Sequence, residues 1–298
     1  MRIGSVALAL ALAIVSSGVR TQETAGKHVI RLDPTLDAIV SPDAQVEVLG
    51  TSFDTSEGPV WIPGRPTGYL LFSDVATNVI HKWTPDGKIT VFLEHSGYAG
   101  DTATMPRVEG VNFRPGALGI TLDRQGRLIF TASGDRAIIR LEKDGTRTTV
   151  VDRYNGKRLN HPNDIVVKSN GSIYFTDPTN HPHRENPYIE LPWSATFLLK
   201  NGKLTPLITN LVHPNGIALS PDEKYLYLND SEIKQILRYE VKADDTLGSA
   251  QMFVDMSMAK GPGGADGMKV DEKGNLFCSG PGGVWVISPA GKSKAQIK

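Results

Sequence analysis

Residues 215–230 read NGIALSPDEKYLYLND. Ile217 and Leu219 occupy alternate positions, Pro221-Asp222-Glu223-Lys224 supplies turn residues, and Tyr225 and Tyr227 alternate again on the far side. Apolar residues at every second position mark a half-buried strand, so the stretch reads as a β-hairpin. The pattern recurs at 118–133 (LGITLDRQGRLIFTAS), 163–178 (NDIVVKSNGSIYFTDP) and 266–280 (DGMKVDEKGNLFCSG). A fifth copy with a longer turn runs from Glu57-Gly58-Pro59-Val60-Trp61 to Leu70-Leu71-Phe72-Ser73-Asp74. Equivalent first positions fall at 57, 118, 163, 215 and 266, and each hairpin is followed by more β-like sequence, at 79–92, 137–151, 196–208, 235–254 and 284–297. Repeated units of roughly 40 to 50 residues with four strands each predict an all-β propeller, with sheets arranged radially around a channel. A β-sandwich would not readily generate this repeat. No continuous helical pattern supports a doubly wound α/β fold.

Composition agrees. The 298 residues carry 32 Lys+Arg against 32 Asp+Glu and are 40% hydrophobic, which is ordinary for a soluble globular chain and excludes disorder, collagen and coiled coil. With no basic block, neither nucleic acid nor an anionic membrane surface is an expected partner. The single Cys278 excludes an intramolecular disulfide and a cysteine zinc cluster. Arg2, the apolar run 3–15 and the small residues Ser16-Ser17-Gly18 follow the order of a secretory signal. Residues 1–18 are therefore expected to be removed on export to a periplasm or the cell exterior, leaving one propeller domain over 28–298. The apolar run is shorter than the roughly 20 residues of a spanning helix, so no membrane association is expected after removal. Two long loops, 94–116 and 179–194, are expected to cover one face. The oligomeric state is left open.

In a propeller, equivalent positions on the innermost strands form a ring around the channel. Here that ring holds Glu57, Leu118, Asn163, Asn215 and Asp266: two carboxylates and two amides with one apolar gap. Converging carboxylates without a cation repel each other and are costly to desolvate. Four hard oxygen donors with two negative charges suit a divalent cation, calcium first, with magnesium, manganese or zinc as alternatives. Asn and Asp are also turn formers, but Glu57 is not, and the same slot is filled by an oxygen donor in four copies of five. Asp164, next to a ring residue, reads as an orienting group or a base. His161-Pro162-Asn163 and His213-Pro214-Asn215 repeat, and their imidazoles either pack in the loop or face the channel. Asp74, Asp177 and Asp230 recur at the ends of the second strands, where a structural role is expected.

The strings SEGPVW (56–61), GKRLNHPNDIVVKSNGSIYFTDP (156–178), HPNGIALSPDEKYLY (213–227), GADGMKVDEKGNLF (264–277) and GPGGVWV (280–286) resemble the gluconolactonase family, which includes regucalcin and the luciferin-regenerating proteins. The resemblance implies a six-bladed propeller with one divalent metal in the channel that hydrolyses sugar lactones such as glucono-1,5-lactone. It implies metal ligation by Glu57, Asn215 and Asp266, with Asn163 contacting metal-bound water or substrate; His161, from the repeated His-Pro-Asn motif, is the further candidate for substrate binding. The expected chemistry is metal polarisation of the lactone carbonyl and attack by water. Asp266 is the first candidate for the base and Asp164 the second. No G-x-S-x-G elbow suggests a serine esterase. A non-catalytic metal- or sugar-binding propeller and an aryl-ester or phosphotriester hydrolase are the alternatives. Only five hairpin units are visible, so the sixth, C-terminal blade is expected to be incomplete, with residues 46–49 supplying part of it.

Overall fold

A computed structural model describes residues 28–105, 114–179 and 189–298. The export signal expected at 1–18 and much of both long loops lie outside the described residues. Five antiparallel sheets of four or five strands follow one another along the chain, with a two-stranded hairpin, Arg153–Tyr154 and Lys157–Arg158, between the second and third. Blade one consists of Ser56–Ile62, Tyr69–Asp74, Val79–Trp83 and Ile89–Glu94, and blade two of Ala117–Leu122, Leu128–Ala132, Ala137–Leu141 and Arg147–Val151. Blade three holds Ile165–Val167, Ile173–Asp177, Ala195–Lys200 and Lys203–Ile208, and blade four holds Pro214–Leu219, Tyr225–Asp230, Gln235–Glu240 and Gln251–Asp255. Blade five runs Met268–Val270, Leu276–Gly280, Gly283–Ile287 and Ser293–Ile297, and Val29–Arg31 pairs with the last of these as a fifth strand.

The period of two in each hairpin becomes two buried faces, because every middle strand is sandwiched between blades. Phe130 packs toward Leu71 and Ile80 of blade one, while its neighbour Ile129 packs toward Ile165, Phe175 and Phe197 of blade three. Tyr174 faces Ile217 and Leu228 of blade four, and Tyr227 in turn faces Met268 and Cys278 of blade five. Burying such side chains contributes about 1.5–3 kcal/mol each, and this is the main driving force holding one blade on the next.

The described residues form five blades, not the expected six. The physical reason lies in residues 28–55. Fully buried Leu36, in the short 3-10 turn Pro34–Ala38, covers the face of blade five made by Phe277, Val284, Val286 and Ala295. At the other end of the segment, Phe53 stacks edge-on against Phe72 of blade one, with ring centroids 4.9 Å apart, and also meets His81. The two outermost apolar faces are thus capped without a further sheet. Residues 46–49, expected to begin a sixth blade, form no strand. The N-terminal strand is instead Val29–Arg31, in register with Ala295–Ile297 on blade five.

Candidate functional site

Three of the five innermost strands, those of blades one, two and four, begin with a register shift: between Glu57 and Val60, Ala117 and Ile120, and Pro214 and Ile217. The ring residue sits in that irregularity, and the residue after it lies close against the next blade. A Cβ on Gly58, whose φ is +56°, would come within 2.1 Å of Leu118 O, and one on Gly216 within 2.3 Å of Asp266 O. Only glycine allows this approach of backbones.

Side chains from the second strands fix the ring. Thr131 Oγ1 donates to Asn163 O at 2.7 Å, Thr176 Oγ1 to Asn215 O at 2.7 Å, and Asn229 Nδ2 to Asp266 O at 2.5 Å. Each also accepts a hydrogen bond from its own blade's inner strand, from Gly119 N, Asp164 N and Gly216 N respectively. In blades two, three and four one polar side chain therefore stitches the inner strand to that of the next blade. Sequence reading missed these three residues, although Thr176 and Asn229 stand immediately before Asp177 and Asp230 and could have been read from the repeat. The aspartates behave as expected. Asp74 accepts from Thr55 N, Asp177 from His161 N and Asn160 N, and Asp230 from His213 N and Val212 N. In all three the bonded N–H lies two residues before the ring residue, so each aspartate sets where its inner strand starts.

Glu57, Asn215 and Asp266 come together. Glu57 Oε2 lies 3.9 Å from where a Cβ on Gly267 would stand, and the Asn215 amide bonds the Asp266 carboxylate. Burial first, then the negative charges of Asp266 and Asp164, hold the Glu57 carboxyl well above the ordinary carboxylate range. Burial likewise pushes Asp266 up to about 6, opposed by its bonds from Asn215 and Gly267 N. Asn215 Oδ1 is buried without any hydrogen-bond partner. An unpaired buried acceptor beside two strained carboxylates is an incomplete arrangement that a cation would complete. Among the described residues no three His, Cys, Asp or Glu side chains form a ready-made metal cage; the donors here mix carboxylates with amides.

Asn163 joins the ring through its backbone, with N donating to Thr176 O and O accepting from Gly119 N. Asp164 is buried, accepting from Ile165 N at 2.9 Å and from Ile217 N of blade four at 3.0 Å. Both of its oxygens are thereby engaged in holding backbone. The buried His161 ring meets Ser133 Oγ at 2.7 Å. Leu118 fills the fifth ring position and is buried. Two cations that sequence reading did not single out act on the cluster: Lys269, 4.0 Å from Asp164 Oδ1, and Arg114, whose charge works against the upward shift of both Glu57 and Asp266. Neither belongs to the repeated pattern, so no signal in the hairpins could have found them.

Comparison with known proteins bears on this geometry. The chain is 36% identical to a gluconolactonase of Zymomonas mobilis, over 92% of its own length and 78% of the relative's. A solved gluconolactonase from Xanthomonas campestris superposes with a TM-score of 0.75 at 29% identity, covering 90% of this chain and 84% of that one. At 20% identity the calcium-binding regucalcin of Agrobacterium tumefaciens shares the fold, with a TM-score of 0.62 over 83% of this chain and 75% of that one. The SMP-30/gluconolactonase/LRE-like region matches residues 55–298, the whole of the five hairpin units and the ring they carry, and the chain belongs to that family.

Proposed function

We propose that this protein is a divalent-metal-dependent hydrolase that opens sugar lactones with water at the Glu57, Asn215 and Asp266 cluster. The observation that carries the reading is the unpartnered, buried Asn215 Oδ1 between carboxylates held above their ordinary range. Glu57, Asn215 and Asp266 would hold the ion, with Asn163 completing the oxygen donors, and calcium suits that set best. When bound, the ion supplies positive charge to polarise the lactone carbonyl.

The chain's own residues do the rest. Asn163 and His161 border the place where the sugar ring would lie, and Ser133 holds the His161 ring in one orientation. Asp266 accepts the proton of the attacking water and returns it to the ring oxygen as the acyl C–O bond breaks, giving the open hydroxy acid; Asp164, with both oxygens on backbone N–H groups, positions the inner strands behind the site. Neither role requires a protein nucleophile. The relatives named gluconolactonase, and a pentonolactonase of Haloferax volcanii at 25% identity, support the lactone as substrate class. The apolar run 3–15 and the small residues that follow it support export to a periplasm or the exterior, which mass measurement of the mature N-terminus would test.

The deciding experiment is hydrolysis of glucono-1,5-lactone by purified protein before and after chelation, with metal content measured alongside. Activity should vanish on chelation and return with calcium. Turnover that persists in metal-free protein would refute the reading, and metal binding without turnover on any lactone would replace it with a binding propeller.

A further inference from the structure

Asn229 stands in blade four where Ser73, Thr131 and Thr176 stand in blades one, two and three. It is fully buried, and its amide is satisfied at both ends. Oδ1 accepts from Gly216 N at 3.1 Å, while Nδ2 donates to Asp266 O at 2.5 Å and meets Cys278 Sγ at 3.6 Å. Turned over, the amide would set its oxygen against the Asp266 carbonyl, so one orientation is fixed. The two peptide groups it joins are those that follow Asn215 and Asp266, the oxygen donors of blades four and five. Thr176 Oγ1 holds the first of these peptides at its other end, 2.7 Å from Asn215 O. Ser231 Oγ, also from blade four, donates to Ala265 O just before Asp266. Gly216 keeps the path open: a Cβ there would fall 2.8 Å from Asn229 Nδ2.

This cross-blade bond follows the donors, not the packing. Thr131, Thr176 and Asn229 reach the carbonyls of Asn163, Asn215 and Asp266. Ser73 is equally buried, yet its hydroxyl has no partner, and the ring residue of the blade after it is Leu118, which offers no side-chain oxygen. Blades one and two still pack together there, through Leu71, Ile80, Ile120 and Phe130. At the junction of blades four and five the linking side chain is an asparagine. A threonine hydroxyl must accept and donate through one atom, whereas the amide divides the two bonds between separate atoms farther from Cβ and so spans a wider gap.

We propose that Asn229 is a positioning residue for the cation: by bridging the peptides behind Asn215 and Asp266 it sets the separation of those two donors, and with it the size of ion they accept. The inference rests on the metal-dependent reading and deepens it. Groups behind the ligands orient them and tune affinity. Calcium takes oxygens at about 2.3–2.6 Å and magnesium at about 2.0–2.1 Å, so a wider separation favours calcium.

The test is calorimetric titration of wild type, Asn229→Thr and Leu36→Ala with calcium and with magnesium, after melts in chelator confirm that each is folded. Threonine makes both bonds in blades two and three, so Asn229→Thr should keep the link while drawing Asp266 toward Asn215. Calcium binding should weaken by about 10- to 100-fold, and magnesium binding by less, so that the calcium-to-magnesium affinity ratio falls. Leu36→Ala, which loses packing far from the cluster, should leave the ratio at its wild-type value. Asn229→Ser, the residue at 73, serves if the threonine variant does not fold, with the same expected direction. An unchanged ratio in the folded Asn229 variant overturns the proposal, whether both affinities fall together or neither does. Wild type that binds neither ion overturns it along with the metal-dependent reading. Should the ratio shift as expected while no lactone is hydrolysed, the hydrolase reading fails and the positioning role of Asn229 stands.

Discussion

Replacing Asp266 by Asn removes one charge from the cluster at a position where that charge is opposed by its surroundings. Burial raises the carboxyl from 3.8 to about 6. At 1.36 kcal/mol per unit this makes the ionised form about 3 kcal/mol less favourable in the folded chain than in the unfolded one. The folded pKa is the higher one, so this group's contribution to stability is fully present below about pH 4 and lost as pH rises through about 6. Glu57 is shifted in the same direction and adds to the trend. In metal-free protein at pH 8, Asp266→Asn should therefore be more stable than the wild type. Weakening the bond from Gly267 N offsets about 1 kcal/mol, leaving a net gain of about 2 kcal/mol, or about 4–8 °C in Tm for a domain of this size. At pH 4 the gain should disappear. Calcium should invert the order, because an ion at a thousand times its Kd stabilises the wild type by about 4 kcal/mol and the variant lacks a ligand. The assay is thermal unfolding of both proteins at pH 4 and pH 8, with chelator and with calcium. A metal-free variant that melts at or below the wild type at pH 8, or calcium that raises both equally, would refute the reasoning.

Other substitutions test the ring's construction. Gly58→Ala should cost at least about 3 kcal/mol, since it combines a left-handed φ with a backbone oxygen 2.1 Å from the new Cβ; Gly87→Ala, also left-handed but in open space, should cost only about 1 kcal/mol in the same denaturant titration. Asp230→Ala leaves Val212 N, His213 N and Glu232 N without their acceptor and should lower stability by about 2–4 kcal/mol, with calcium affinity falling as Asn215 loses its fixed position. Leu36→Ala should cost about 2–5 kcal/mol while leaving the calcium affinity of the folded protein unchanged, because Leu36 packs on the face of blade five away from the cluster. Calorimetric titration with calcium reads the last two.

The legible part of the fold was the part written in a period. Alternation at Ile217 and Leu219 or Tyr225 and Tyr227 is imposed by two faces of a sheet, and five repetitions of it made both the blades and the ring positions readable. Asp74, Asp177 and Asp230 were readable for the same reason. What escaped was aperiodic. Phe53 and Leu36 cover the outer faces from a segment with no strand pattern, so the sequence invited a sixth blade there. Arg114 and Lys269 modulate the carboxylates from positions that no other blade repeats. Gly58 and Gly216 each follow a ring residue, and the backbone oxygens 2.1 and 2.3 Å from their hypothetical Cβ atoms explain why glycine stands there.

Five blades among the described residues keep the site's geometry. The three residues brought together come from blades one, four and five, and blade two contributes only Leu118 to the ring. Glu57 reaches across from the first blade to Gly267 on the last, so blades one and five meet at the channel even though residues 28–55, not a sheet, lie over their outer faces. Sheet hydrogen bonds cannot hold that contact, since no strand of blade one pairs with one of blade five. What can hold it is attraction between the Glu57 and Asp266 carboxylates and a shared cation, and without the cation the two repel. The cluster would then be a closure device as well as a reaction site: cation binding should draw blade one against blade five, and the amides of the innermost strand Ser56–Ile62 should exchange with deuterium more slowly in calcium than in chelator. Equal exchange in both would mean that Phe53 and Leu36 suffice to close the fold and that the cluster serves chemistry alone.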